Sequence, residues 1–284
     1  MIVTNKHGLP ESIVKAVTLD EHRQADVSVT GLINPIQMSV LTKRHWDEIE
    51  VDAADRIWLL LGKSVHYVLE KACPDDTTEL YLEHEIDGVK VSGSVDNYSR
   101  VERKVSDYKV TSVYAVKDGV VKPEWESQLN LYCYLLAMSG EKVERLQIIA
   151  ILRDWSESKT VEQGYPRSAV MVLPVRLWTR TEQEQYIMMR LSAWKAAQDA
   201  KELPPCTDEE RWAKSPTWAV VKKGNKRATK LFDLETPAKA FAAANKDMEV
   251  VYRPGEQTRC AKYCSVRKYC KQGMGYMVGV EDER

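Results

Sequence analysis

Two apolar periods alternate along this chain, and the switches between them outline its elements. From residue 52 to about 73, Ile57, Leu60, Leu61, Val65, Val68 and Leu69 recur at helical spacing and make one apolar stripe, with Pro74 just beyond. The period then shortens to two. Leu80, Leu82, Val89 and Val91 alternate with polar residues on either side of Asp87-Gly88, a dipeptide that favours a type I′ hairpin turn. The second strand reaches about Tyr98, a polar connection follows, and a third strand spans about 105–111, so the three form a meander. Helical spacing returns from about Pro123 to Met138, where Trp125, Leu129, Tyr132 and Leu136 share a face and Gly140 is placed to terminate the helix. Residues 146–152 are continuously apolar, the pattern of a strand buried on both faces. Residues 169–175 read as a further strand and residues 181–201 as a long helix, closed by Pro204-Pro205.

The first fifty residues carry a weaker pattern, a helix between residues 30 and 46 broken near Pro35. Beyond residue 203 the elements are short: a hairpin around Gly224-Asn225, an alanine-rich helix over 237–245, a strand near 249–252 and a cluster of cysteines. The expected organisation is an α/β (mixed α+β) core over residues 1–203 and a small C-terminal module over 204–284.

Composition narrows the class. Apolar residues make up 44% and charged residues 29%, which permits a packed core and excludes a fibrous or disordered chain. The longest apolar run, residues 57–61, is too short to span a bilayer, and the N-terminus has no signal-like segment, so a soluble, cytoplasmic protein without a membrane partner is expected. The net charge of −1 gives no global attraction to nucleic acid, so local charge decides. Lys222, Lys223, Lys226, Arg227 and Lys230 lie close together with few acids near them; they form either a DNA-binding patch or a solvated hairpin surface. Of the six cysteines, Cys73 and Cys133 read as small buried apolar residues. Cys260, Cys264 and Cys270 have the spacing C-x3-C-x5-C, and with Cys206 they suit a four-thiolate zinc site or an iron–sulfur cluster, the alternative being unliganded thiols. Tyr263, Arg267, Lys268, Tyr269 and Lys271 interleave with them as either DNA contacts or surface residues.

The chemistry concentrates in the meander. Asp107 and Lys109 lie two apart on the third strand and share a sheet face. A turn near Val101-Glu102 sets Asp96 opposite Asp107, where two carboxylates repel unless a cation lies between them. Such a pair offers hard oxygen ligands for Mg²⁺ or Mn²⁺, and a neighbouring lysine can orient water or stabilise charge on a phosphate. On the preceding helix His66 and Glu70 share a face, and on the following helix Gln128 and Tyr132 do. The order H-x-x-x-E, G-x-x-D, D-x-K, Q-x-x-x-Y, present here as HYVLE at 66–70, GSVD at 93–96, DYK at 107–109 and QLNLY at 128–132, resembles the PD-(D/E)XK nuclease superfamily in its RecB-like exonuclease branch. The resemblance covers residues 52–140. It implies a restriction-endonuclease-like mixed sheet flanked by helices, with His66, Glu70, Asp96 and Asp107 holding Mg²⁺ or Mn²⁺, Lys109 assisting the attacking water, and Gln128 and Tyr132 contacting DNA or supporting the lysine. It implies a DNA exonuclease acting on single strands or duplex ends in recombination or repair, of the kind found in phages, with a single-strand annealing protein as a possible partner. An endonuclease with the same core and a catalytically silent DNA-binding or adaptor protein are the alternatives. No G-x-x-x-x-G-K-[ST] loop is present, so no helicase motor is expected.

The resemblance also implies a [4Fe–4S] cluster rather than zinc at the late cysteines. This chain departs from that pattern in the first cysteine gap, one residue longer than usual, and in having no cysteine before Cys73, so Cys206 stands in as fourth ligand. Val95 stands where the superfamily often has proline.

Overall fold

A computed structural model describes residues 1–18, 25–72 and 77–275. It divides into two compact units, Met1–Leu203 and Pro204–Arg284, each taken by itself. The first begins with β1 (Ile2–Thr4), α1 (Glu11–Thr18), β2 (Val27–Ser28), α2 (Val29–Ile33), α3 (Ile36–Arg44) and β3 (Glu50–Asp52). It continues with α4 (Ile57–Ala72), β4 (Thr77–Ile86), β5 (Val89–Ser99), β6 (Lys104–Thr111), α5 (Pro123–Met138), β7 (Arg145–Leu152), β8 (Val170–Val175) and α6 (Arg180–Gln198).

The sheet runs β2-β5-β6-β7-β8, with β4 on the other edge of β5. The β5–β6 and β7–β8 pairs are antiparallel and β6–β7 is parallel. This is the expected mixed sheet flanked by helices. Asp87 (φ 50) and Gly88 (φ 71) take the left-handed conformations that a type I′ hairpin needs. The run 146–152 lies inside the sheet but is not buried on both faces: Leu146, Ile148, Ala150 and Leu152 are buried, while their neighbours are only half-buried.

α5 is buried nearly all round, from Trp125 to Leu136. Its fully buried Asn130 donates to the carbonyls of Glu126 and Arg176 and accepts the Trp178 N–H, so its polar groups are paired inside the core. Two arginines cover carbonyls at helix ends, where the backbone has no partners of its own. Arg190 donates to Leu32 and Asn34, and Arg44 to Ala197, Gln198 and Ala200. α4 begins later than its apolar pattern suggests, because Asp52 is committed to other work: its carboxylate accepts from Thr4, Lys6 and Ala54 and caps a short 3₁₀ turn.

The second unit contains β9 (Ala213–Lys214), β10 (Thr217–Lys222), β11 (Ala228–Phe232), α7 (Glu235–Ala243), β12 (Met248–Arg253), β13 (Glu256–Gln257) and α8 (Lys271–Met274). The order β11-β10-β12 makes one antiparallel sheet and β9 pairs with β13. No helix of the described residues is long and apolar enough to cross a membrane.

Candidate active site

Three carboxylates lie in one row across three strands. β4 pairs with β5 from Thr77↔Tyr98 to Ile86↔Val89 with a break at Glu79, and the unshifted register on either side of the break sets Glu79 opposite Asp96. β6 pairs with β5 only from Asn97↔Ser106 to Ser99↔Lys104; continued one step, that register sets Asp96 opposite Asp107. The ladder stops there because Asp96 Oδ2 takes the Tyr108 N–H itself, at 2.8 Å. β2 meets the same edge of β5 only at Val91 and Ser92. Residues 93–96 thus face an opening in the sheet between β2 and β6, and polar groups gather around it.

His66 reaches this point from α4. Its Nε2 donates to the Tyr108 carbonyl at 3.1 Å, which leaves Nδ1 facing Glu79 Oε1 at 3.1 Å and Asp96 Oδ1 at 3.7 Å. Among the described residues His66, Glu79 and Asp96 form the one group whose ligand atoms all lie within 4.8 Å of one another. Glu79 has φ 47, a left-handed conformation rare for any residue but glycine or asparagine and costly in mid-strand. That strain sits at the point of densest charge in the sheet.

Asp107 is 1% exposed. Its Oδ2 lies 2.7 Å from Lys109 Nζ, a charge contact outside hydrogen-bonding angles, and its Oδ1 has no hydrogen-bond partner. A buried carboxylate left so costs stability unless a cation completes it. Lys109 Nζ also donates to Gln128 Oε1 at 3.1 Å, and Gln128 Nε2 donates to the Tyr132 hydroxyl at 2.8 Å. Of these two contacts only the one to Gln128 is a hydrogen bond, so the ammonium keeps donors for a substrate.

Of the residues singled out in the sequence, the fold brings His66, Asp96, Asp107, Lys109, Gln128 and Tyr132 to this opening. Neither Glu70 nor Asp107 is in the ligand group: the Glu70 carboxylate holds Lys71 at 2.9 Å, and the Asp107 carboxylate lies against Lys109. The carboxylate beside His66 is that of Glu79, which sequence reasoning passed over as an ordinary position in the strand. Gly93, the glycine of G-x-x-D, has its own reason. A Cβ there would lie 2.8 Å from the Tyr132 ring. Gly93→Ala is therefore expected to push Tyr132 off Gln128, cost about 1–3 kcal/mol as overpacking does, and lower cleavage without changing the metal requirement; thermal unfolding and turnover measure the two effects.

Charge in the group is tightly shared. The hydrogen bond to Glu79 raises His66 to about 9 against the opposing effect of burial, and Asp96 adds to the rise. Burial first, then the Asp107 carboxylate, raises Asp96 to about 7. The sign of the pH dependence follows. In the metal-free fold both groups hold protons that the unfolded chain gives up earlier, Asp96 between about pH 4 and 7 and His66 between about 6.5 and 9. Metal-free stability falls as pH rises through those windows. A divalent cation displaces the same protons, so its affinity rises with pH, by about a hundredfold per unit below ~7 and about tenfold between ~7 and ~9. Melting temperature in EDTA is expected to fall as pH rises to ~9; in saturating Mn²⁺ it is expected to rise to ~6.5, where the unfolded His66 loses its proton, and then to stay level, because the gain in metal affinity cancels the loss of metal-free stability.

In the second unit Cys206, Cys260, Cys264 and Cys270 converge. Burial, then Glu210 and the three other cysteines, pushes the Cys206 thiol up to about 12, and burial raises Cys260 and Cys264. Gln272 clamps Cys206 through its backbone N–H (2.8 Å) and carbonyl (3.2 Å), and Cys270 Sγ accepts the Gly273 N–H at 3.4 Å. A side chain at Gly273 would strike the Arg267 backbone, with the carbonyl oxygen 2.6 Å away. No three of the four sulfurs lie within 4.8 Å of one another. Cys133 is buried in α5, and Cys73 lies outside the described residues. Lys222, Lys223, Lys226, Arg227 and Lys230 are all exposed on and around the β10–β11 hairpin, with Lys230 over the Phe232 and Phe241 rings.

No family model matches the chain, and no curated protein does. Among solved structures it is similar to a protein designated SSO0001, at 15% identity over 70% of this chain and 89% of that one, TM-score 0.48. It is also similar to a phage-related exonuclease from Haemophilus somnus 129PT, at 14% identity over 63% of this chain and 95% of that one, TM-score 0.39. Neither likeness is close enough to carry an inference about this chain.

Proposed function

We propose that this chain is a divalent-metal-dependent deoxyribonuclease that hydrolyses phosphodiester bonds at DNA ends, an exonuclease suited to recombination or repair. One observation carries the reading: Asp107, buried with an unpartnered oxygen, lies one step beyond the β5–β6 ladder on the side of Asp96 and beside a lysine held by Gln128. Hard oxygens and one imidazole fit Mg²⁺ or Mn²⁺. His66, Glu79, Asp96 and Asp107 would hold the ion, which supplies charge neutralisation at the phosphate and a lowered pKa for water.

The side chains do the rest. Lys109 keeps donors toward the opening, to orient the attacking water or hold a phosphate oxygen as negative charge grows there. Water oxygen bonds to phosphorus and gives up a proton to solvent, and the bond from phosphorus to the departing oxygen breaks, that oxygen taking a proton from solvent to leave as a hydroxyl. Gln128 and Tyr132 fix the lysine by a hydrogen-bonded chain along one face of α5. In the second unit the four cysteines would hold a [4Fe–4S] cluster. A tetrahedral zinc site would instead set its sulfurs about 3.8 Å apart, given Zn–S bonds near 2.3 Å. The exposed cations of the hairpin supply a phosphate-binding surface.

The test is incubation of purified protein with end-labelled linear single- and double-stranded DNA and with covalently closed circles, in Mg²⁺, Mn²⁺ or EDTA. Metal-dependent loss of linear DNA with intact circles is the expected result. Cut circles would make it an endonuclease, and intact DNA in every metal, from folded protein, would overturn the reading.

A further inference from the structure

A second feature of the first unit lies one step from this opening and is not used by the hydrolytic groups. β7 runs parallel to β6, and Arg153, just past its end, donates its backbone N–H to the Thr111 carbonyl at 2.9 Å. Thr111 is two residues beyond Lys109 on the same strand face, about 7 Å along it at the usual strand rise. The Arg153 guanidinium lies 4.4 Å over the Trp58 ring. Trp58 is in the first turn of α4, about 12 Å along the axis from His66 at 1.5 Å per residue. Trp58 is 55% exposed, and Arg153 is exposed with no carboxylate partner among the described residues. Tyr114, 86% exposed, follows the end of β6 in a turn that Asp154 holds through the Val113 N–H.

An exposed tryptophan held by an unneutralised arginine, at the carboxyl ends of the strands that carry the acid and the lysine, has the chemistry of a platform for an unpaired base and its phosphate. We propose that Trp58 and Arg153 bind one unpaired nucleotide of the DNA substrate within a few nucleotides of the scissile bond, the base stacking on the indole and the phosphate taking the guanidinium donors. This makes a single-stranded segment the preferred substrate at that position, and it rests on the nuclease reading above for its place in the reaction.

The experiment uses single-stranded oligodeoxynucleotides with one abasic site moved stepwise along the strand, cut by the wild-type chain and by Trp58→Ala, Trp58→Phe and Arg153→Ala. With wild type, one abasic position is expected to raise KM about tenfold, the effect of losing one base–aromatic stack. Trp58→Ala is expected to raise KM by a similar factor on intact DNA and to be indifferent to that position, and Trp58→Phe to recover most of the loss. Arg153→Ala is expected to weaken binding at every abasic position alike and to flatten the salt dependence. If Trp58→Ala slows every substrate equally, or no position is sensitive, the platform is wrong even though the enzyme cuts. If wild type cuts nothing, the nuclease reading fails on its own, and the platform is decided by binding in EDTA: fluorescein-labelled oligothymidylate must bind about tenfold more weakly to Trp58→Ala, while equal binding overturns it.

Discussion

Asp107→Asn is expected to abolish metal-dependent cleavage, by about a thousandfold or more, while leaving the metal-free protein as stable as wild type. The substitution preserves shape and removes only charge. In wild type that charge is 1% exposed, with one oxygen unpartnered and the other facing Lys109. Without metal, the buried carboxylate repays little of its desolvation, so an amide of the same size costs nothing comparable. Lys109 keeps Gln128 and partial contact with solvent. With Mn²⁺ the two proteins diverge. Wild type gains the linkage stabilisation of any ligand that binds only the folded state, about 2.7 kcal/mol at a hundred times Kd, and the variant gains little. Paired melting curves and turnover numbers read both effects. Retained cleavage, or an unchanged melting shift with metal, would remove Asp107 from the site; a large loss of metal-free stability would make it a structural residue.

The helix–meander–helix core was legible because each of its signals is local. Alternation fixes faces, Asp87-Gly88 fixes the hairpin, and the length of the next turn fixes Asp96 against Asp107. The placing of Asp96 opposite Asp107 is therefore readable in the residues before any coordinates. Glu79 was not, because nothing in its neighbourhood departs from an ordinary strand; its importance comes from pairing across the hairpin and from a left-handed backbone that no propensity announces. Glu70 was expected for the opposite reason. Helical spacing does put it on the face of His66, but four residues carry it about 6 Å further along the axis, to Lys71 rather than to Asp96 and Glu79. The apolar run 146–152 misled in a milder way: a strand in mid-sheet can be apolar on both faces while one face is only half covered. The opening between β2 and β6 depends on two short pairings contributed by residues far apart in sequence, and no periodicity encodes it.

The other large effect is expected in the second unit, where replacing any one of Cys206, Cys260, Cys264 or Cys270 by alanine should cost the metal proposed there and most of the unit's order. The reason is energetic. The unit is small, and small units bury too little apolar surface to be stable by packing alone. Its sheet leaves Leu231, Val251 and Tyr252 exposed, and its end is a π-helical turn, a 3₁₀ turn and the short α8. Burial raises the Cys206, Cys260 and Cys264 thiols, so metal-free sulfurs keep their protons, and only a cation strong enough to displace those protons turns them into ligands. Structural thiolate sites in zinc-finger peptides supply about 10–16 kcal/mol, as much as the whole stability of an ordinary domain. Hydrogen exchange across residues 204–275 is expected to lose protection in each of the four variants, while residues 77–198 keep theirs. Cys133→Ala, a buried thiol of α5, is the control that leaves the metal in place. Iron, zinc and visible absorbance in anaerobically purified protein then identify the group: iron with a brown chromophore supports the cluster, and one zinc per chain replaces it with a zinc site drawn tighter on binding. Intact metal in Cys206→Ala would remove that residue as the fourth ligand, and full protection in protein free of both metals would show that the four thiols hold nothing.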